Sequence, residues 1–168
     1  MTQPRVIIQS PPRVIIIMGS KADEAHCQKI AEAAREFGLS VVLRVASAHK
    51  TPEHARQILQ HYEADPRPTV YIAVAGRSNA LSGFVDGAVA APVIACPPPS
   101  GSFGGADIFS SLRMPSGIAP AVVLEPANAA LLAAKILGLG DADVRQKVIE
   151  FQKNQADKIL RDDAQLNG

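Results

Sequence analysis

Tryptophan is absent from the sequence, and aromatic residues make up only 4% of it. Lys plus Arg (17) almost cancel Asp plus Glu (16), leaving a formal net charge of +1. A basic stripe interleaved with aromatics is therefore missing, and nucleic acid is not an expected partner. No apolar run approaches the roughly 20 residues of a membrane span, so no membrane partner is expected either. The two cysteines, Cys27 and Cys96, stand far apart and form no CxxC pair. A disulfide framework is not indicated, and a thiol-reducing cytoplasm is the simplest setting. His49, His54 and His61 lie within one loop and the helix after it, but HExxH spacing is lacking and no Cys or carboxylate completes a set. No metal site is expected from them. The stretch Met1 to Pro12 places Pro, Gln and Ser around one short apolar triplet. It lacks the apolar core and cleavage site of a signal peptide.

What is present is ordinary for a globular domain: 168 residues, 47% of them apolar. Residues 1–12 read as a flexible N-terminal arm, 13–162 as one α/β domain and 163–168 as a C-terminal tail. The continuous apolar run at 13–18, bounded by Pro and Gly, suits a parallel strand covered on both faces. Gly19-Ser20 ends it. Ser20 as N-cap with Asp23 three residues on resembles a capping box, and the helix pattern runs to Phe37 before Gly38. Further strands are predicted at 41–46, 69–75, 93–96 and 121–124. Helices are predicted from Pro52 to Tyr62 with Thr51 as cap, at 80–90, 107–113 and 126–137, and along 141–162. The segment 97–105, with three prolines and three glycines, cannot be a regular element. A loop that long in a small domain is usually functional or disordered.

Strands alternating with helices argue for a three-layer, doubly wound parallel sheet with right-handed crossovers, in the flavodoxin-like order 2-1-3-4-5, followed by a C-terminal helix. In that order the Gly19 turn and the Gly76 turn are neighbours, and the loop carrying His49 opens on the same edge.

Each candidate residue carries two readings. Gly19, Ser20 and Asp23 suit a phosphate and a ribose, or a plain helix cap; the turn matches neither a P-loop nor GxGxxG, so no NTP or dinucleotide is indicated. His49, beside Ser47 and Lys50, is either a general acid/base or a solvated loop histidine. Lys50 and Arg77 suit phosphate or carboxylate, or solvent. Ser78 and Asn79 suit ligand contacts, or caps of the next helix. His26 lies on the apolar face of the first helix and reads as packing. Cys96 has no adjacent base in sequence, so a nucleophile role is not expected.

The loops MGSKAD, SAHKTPEH, AGRSNALSGFVDG and ACPPPSGSFGGADIFSSLRMPSG, with the tail EPANAALLAAKIL, together resemble the PurE family of purine biosynthesis. The resemblance covers about residues 13–160. One class of that family isomerises N5-carboxyaminoimidazole ribonucleotide. The other carboxylates 5-aminoimidazole ribonucleotide (AIR) directly with CO2. The isomerase class usually reads SAHR, GGAAHLPG and PVQS. Here the chain reads Ser47-Ala48-His49-Lys50, then Gly76-Arg77-Ser78-Asn79 with Ala80 where the isomerases carry a second histidine, then Cys96-Pro97-Pro98-Pro99. All three loops look like the carboxylase class.

The resemblance implies a cytoplasmic AIR carboxylase, reversible as a decarboxylase, with the mutase and a non-catalytic nucleotide-binding module as the competing readings. It implies that His49 is the general acid/base. Gly19, Ser20, Asp23, Ser47 and Lys50 would hold the phosphate and ribose. Gly76, Arg77, Ser78 and Asn79 would surround CO2 or the carboxylate. It implies no cofactor and no metal, with AIR and CO2 as small-molecule partners. It also implies a homo-octamer with active sites between subunits.

Overall fold

All six residues of β1 (Arg13–Met18) are buried, as a strand flanked on both sides and covered on both faces must be. The computed structural model describes residues 10–167. In chain order β1 is followed by α1 (Glu24–Glu36), β2 (Ser40–Val45), α2 (Pro52–Glu63), β3 (Thr69–Val74), α3 (Leu81–Asp86), β4 (Val93–Ala95), α4 (Phe109–Leu112), β5 (Ala121–Val122), α5 (Pro126–Leu137) and α6 (Ala142–Asn167). Five strands make one all-parallel sheet in the order β2-β1-β3-β4-β5, as the alternation of elements predicts.

The two-residue period of the strands sorts the core into two layers. Val14, Ile16 and Met18 of β1, with Val70, Ile72 and Val74 of β3, meet Cys27, Ile30, Ala130 and Val144 from α1, α5 and α6. Ile15, Ile17, Tyr71 and Ala73 face the other way, onto Ala55, Ile58, Leu81 and Val85 from α2 and α3. Each such aliphatic side chain, fully removed from water, contributes about 1.5–3 kcal/mol. At the amino ends of the strands Arg13 is buried with its charge paired. Its guanidinium donates to Asp65 Oδ2 at 2.8 Å, to Thr69 Oγ1 at 3.0 and 3.2 Å and to the Tyr62 carbonyl at 3.1 Å.

Five sequence expectations change. The Ser20–Asp23 capping box does not form: Ser20 Oγ accepts the Ala22 N–H (3.2 Å) to cap a single 3-10 turn, Lys21–Asp23, and Asp23 makes no side-chain cap. Thr51 does not cap α2 either; its hydroxyl exchanges hydrogen bonds with the Ser47 backbone. Helix α3 is shorter than 80–90, ending at Asp86. Gly83 and Gly87, one turn apart, admit Met114 and Ile118 to within 3.0 Å of where a Cβ would sit, so packing rather than length uses this small-residue stretch. The expected helix at 107–113 is only α4, because Phe103, Gly104 and Gly105 are all left-handed and break the turn before it. α6 continues through Asn167, with no Gly or Pro to stop it before Gly168, so residues 163–167 are helix and not a tail. Of the expected arm at 1–12, residues 1–9 lie outside the described residues; Pro12 is buried, and its carbonyl accepts the Ser40 N–H at 2.9 Å. No described helix is long and apolar enough to cross a membrane.

Candidate active site

The sheet order sets the turns after β1 and β3 against each other at the carboxyl ends of the strands, where doubly wound sheets bind ligands. The Gly19 N–H donates to the Val74 carbonyl at 2.9 Å, and a Cβ on Gly19 would stand 3.4 Å from that of Ala75. Ala22 and Asp23 spend their N–H groups on Ser20. Those of Ser20 and Lys21 have no partner among the described residues and are available to an anion. Burial raises the Asp23 carboxyl above its ordinary value, with His26 and Arg77 opposing; Asp23 and Arg77 thus sit within electrostatic reach across the two turns.

The second turn, Gly76-Arg77-Ser78-Asn79, is held from thirty residues downstream. Arg77 is left-handed at φ 60°, a conformation that costs a non-glycine residue about 1–2 kcal/mol. Its N–H donates to Asp107 Oδ2 at 3.1 Å. The Asn79 N–H donates to Ser110 Oγ at 2.9 Å, and that hydroxyl is 2.7 Å from the Asp107 carbonyl and 3.2 Å from the Arg77 carbonyl. Asn79 itself is 3% exposed. Its Oδ1 accepts the Ser82 N–H (3.1 Å) and its Nδ2 donates to Ser111 Oγ (2.9 Å). Asn79 therefore caps the first turn of α3 and is anchored to α4. The N–H groups of Gly76 and Ser78 keep no partner among the described residues.

A cleft of about 360 Å3 opens beside this turn, between Gly76, Arg77, the triple proline Pro97–Pro99, Ser100, Asp107 and Glu125. Phe103, at the tip of the loop over it, is 86% exposed and left-handed. A second cleft of about 300 Å3 shares Pro99, Leu124 and Glu125 with the first and adds His26 and Lys29. Beneath both, the fold supplies Cys96 with the imidazole that its neighbours in sequence lack: His26 Nε2 lies 3.4 Å from Cys96 Sγ. Burial lowers the His26 pKa, with a hydrogen bond to the Cys96 backbone and the nearby Asp23 opposing. Burial likewise pushes the thiols of Cys27 and Cys96 up to about 12, so both are protonated and unreactive, and both are free.

His49 and Lys50 stand exposed on the loop after β2, at the same edge of the sheet but outside the larger cleft. The loop is closed on itself: Ser47 Oγ accepts the Lys50 N–H at 3.1 Å, and the Ser47 carbonyl accepts the Thr51 N–H at 2.9 Å. The structure thus joins Gly19, Ser20 and Asp23 to Gly76 and Arg77. It leaves Ser47, His49 and Lys50 at the open rim, and it commits Asn79 to the scaffold. Asp107, Ser110 and Ser111 are the site residues that sequence reasoning missed. In sequence they read as part of a short helix, and nothing local marks their partners. Among the described residues, no group of three or more His, Cys, Asp or Glu side chains is arranged to hold a metal ion.

Residues 13–158 match the sequence family described as AIR carboxylase. The chain is 57% identical over 155 residues to the phosphoribosylaminoimidazole carboxylase of Treponema denticola, covering 92% of this chain and 98% of that one. It is 54% identical over 154 residues to the protein of the same name from Archaeoglobus fulgidus, covering 92% and 84%. The crystal structure of Treponema denticola PurE superposes with a TM-score of 0.92 at 57% identity, covering 94% of this chain and 99% of that one.

Proposed function

The chain belongs to the AIR carboxylase family, and from that membership we propose how its residues divide the work. The protein is a phosphoribosylaminoimidazole carboxylase of purine biosynthesis, joining AIR and CO2 to give 4-carboxy-5-aminoimidazole ribonucleotide (CAIR). In our assignment Gly19, Ser20 and Asp23 take the phosphate and ribose, with Ser47 and Lys50 closing over that end from the rim. Gly76, Arg77 and Ser78 receive CO2, with Asn79 holding their turn in place. The observation that carries this division is the packing of the Gly19 turn on the end of β3: the two sets of unpaired N–H groups lie on neighbouring strands.

The chemistry follows from the substrate. AIR is an electron-rich aminoimidazole whose C4 attacks the carbon of CO2; the new C–C bond leaves C4 carrying both a proton and a carboxylate. His49 takes that proton, restoring the aromatic ring, and returns it in the reverse decarboxylation. The negative charge that develops on the former CO2 oxygens falls to backbone N–H groups and the Ser78 hydroxyl. Because His49 and Lys50 are exposed on one subunit, we assign the complete site to an interface between copies in a homo-octamer. The exposed Ile149, Ile159, Leu160 and Leu166 of α6 support such packing. We place the enzyme in a thiol-reducing cytoplasm, in accord with its two free, buried thiols.

The test is a paired assay of purified protein, with AIR plus CO2 and separately with N5-carboxyaminoimidazole ribonucleotide. CAIR should form from the first pair. Turnover of the N5-carboxy compound above its spontaneous breakdown, with none from AIR and CO2, refutes the assignment in favour of the mutase.

A further inference from the structure

We propose that Asp107 is a positioning residue for the CO2 half of the reaction: by accepting the Arg77 N–H it holds the Gly76–Asn79 turn in the shape that leaves the Gly76 and Ser78 N–H groups free for the incoming carboxyl oxygens. The proposal rests on the reading of that turn as the CO2 site.

Four N–H groups run through the turn, and alternate ones are taken. Asp107 Oδ2 accepts from Arg77 and Ser110 Oγ accepts from Asn79; Gly76 and Ser78 are left over. An unheld turn would have no reason to keep this pattern. Arg77 occupies a left-handed conformation that a β-carbon disfavours, and neither of its immediate neighbours donates to it. The compensating contacts all come from one segment, 107–111. Its Ser110 hydroxyl bridges the Asp107 and Arg77 carbonyls, so Asp107 and the turn are tied twice. Asp107 also lines the larger cleft. One residue thereby links the cleft wall to the geometry of the turn.

The two substrates should feel this differently. AIR offers a phosphate, ribose hydroxyls and a ring, and most of its binding lies at the Gly19 turn. CO2 is small, neutral and linear, so the alignment of two N–H groups is nearly all that can orient it. A loosened turn therefore weakens CO2 capture and leaves AIR affinity alone, which a general loss of fold would not do.

The experiment compares Asp107→Ala with Asp107→Asn in the full-length protein, the latter retaining a side-chain carbonyl to accept the Arg77 N–H. CO2 is varied as bicarbonate equilibrated with carbonic anhydrase at saturating AIR, AIR binding is measured by equilibrium dialysis, and amide exchange is followed at Arg77. Asp107→Ala should raise the KM for CO2 about tenfold or more. AIR affinity should stay within about twofold, and exchange at Arg77 should accelerate about tenfold. Asp107→Asn should restore most of each. An unchanged KM for CO2 in a folded Asp107→Ala protein overturns the proposal, as does an equal loss of AIR affinity. Gly76→Ala then separates the two premises, since its methyl would point at Pro98 across the cleft. A raised KM for CO2 in that variant keeps the turn as the CO2 site and removes only Asp107, whereas no change removes the turn itself.

Discussion

Replacing Asn79 by alanine separates scaffold from chemistry. The amide is buried and both its ends are spent, on the Ser82 N–H and on Ser111 Oγ. Loss of the cap costs about 1 kcal/mol. Loss of the Ser111 bond costs about 1 kcal/mol more, and stranding buried partners adds up to about another. The expected total is about 2–3 kcal/mol. With a urea slope of about 2 kcal/mol per molar for a domain of this size, the denaturation midpoint should fall by about 1–1.5 M. The measurement is urea unfolding at fixed protein concentration, because association would otherwise shift the midpoint, paired with the carboxylation rate of the folded fraction. Asn79→Asp keeps the cap acceptor but loses the donor to Ser111, and should fall between. A midpoint shift below about 0.3 M accompanied by collapse of turnover would refute the reasoning, because Asn79 would then be working on substrate.

Three further outcomes follow from the same geometry. His49→Asn should abolish turnover with AIR binding kept, whereas Lys50→Ala should raise the KM for AIR; full activity in the first removes His49 from the proton transfer. Ser82 is fully buried and its hydroxyl has no partner among the described residues, so Ser82→Ala should stabilise by about 1 kcal/mol in the same urea titration, and a loss of stability would reveal a partner outside them. Acid should act in two stages. Burial holds His26 below 6.5, so the unfolded chain takes up that proton first and stability declines as pH drops below about 6.5. Asp65 is held below 3.8 by the Arg67 N–H and then by Arg13 and Arg67; its contribution is complete above that value and disappears as pH falls through the lower, folded one. Urea midpoints from pH 7 to 3 should lose the first stage in His26→Gln and the second in Asp65→Asn.

The sheet was legible because its strands are bounded apolar runs: 13–18 and the Pro68-to-Gly76 segment end where Gly or Pro forces them to. The order followed from the regular alternation, which admits few parallel topologies. The site was legible only where its chemistry is local. Gly19-Ser20, His49-Lys50 and Gly76–Asn79 each announce a polar turn. The partners that shape those turns do not, because Asp107 reaches Arg77 and Cys96 meets His26 through chain closure, which leaves no periodic trace. Asn79 shows the cost: next to Ser78 in a polar turn it suits a ligand contact or a helix cap, and its bonds to Ser82 and Ser111 decide for the cap. α6 runs past the expected end at 162 because no Gly or Pro interrupts it before Gly168.

Arg13 and its partners lie at the amino ends of β1 and β3, whereas both glycine turns lie at the carboxyl ends of the same strands. Six residues at about 3.3 Å each put about 20 Å between the two poles. Perturbations that far apart with no shared partner combine additively. If Gly76 and Asp107 serve CO2 as proposed above, the molecule offers two independent dials: changes around Arg13, Asp65 and Thr69 should move thermal tolerance, changes around Gly76 and Asp107 should move turnover and carbon dioxide affinity, and variants selected at one pole should combine additively with those selected at the other.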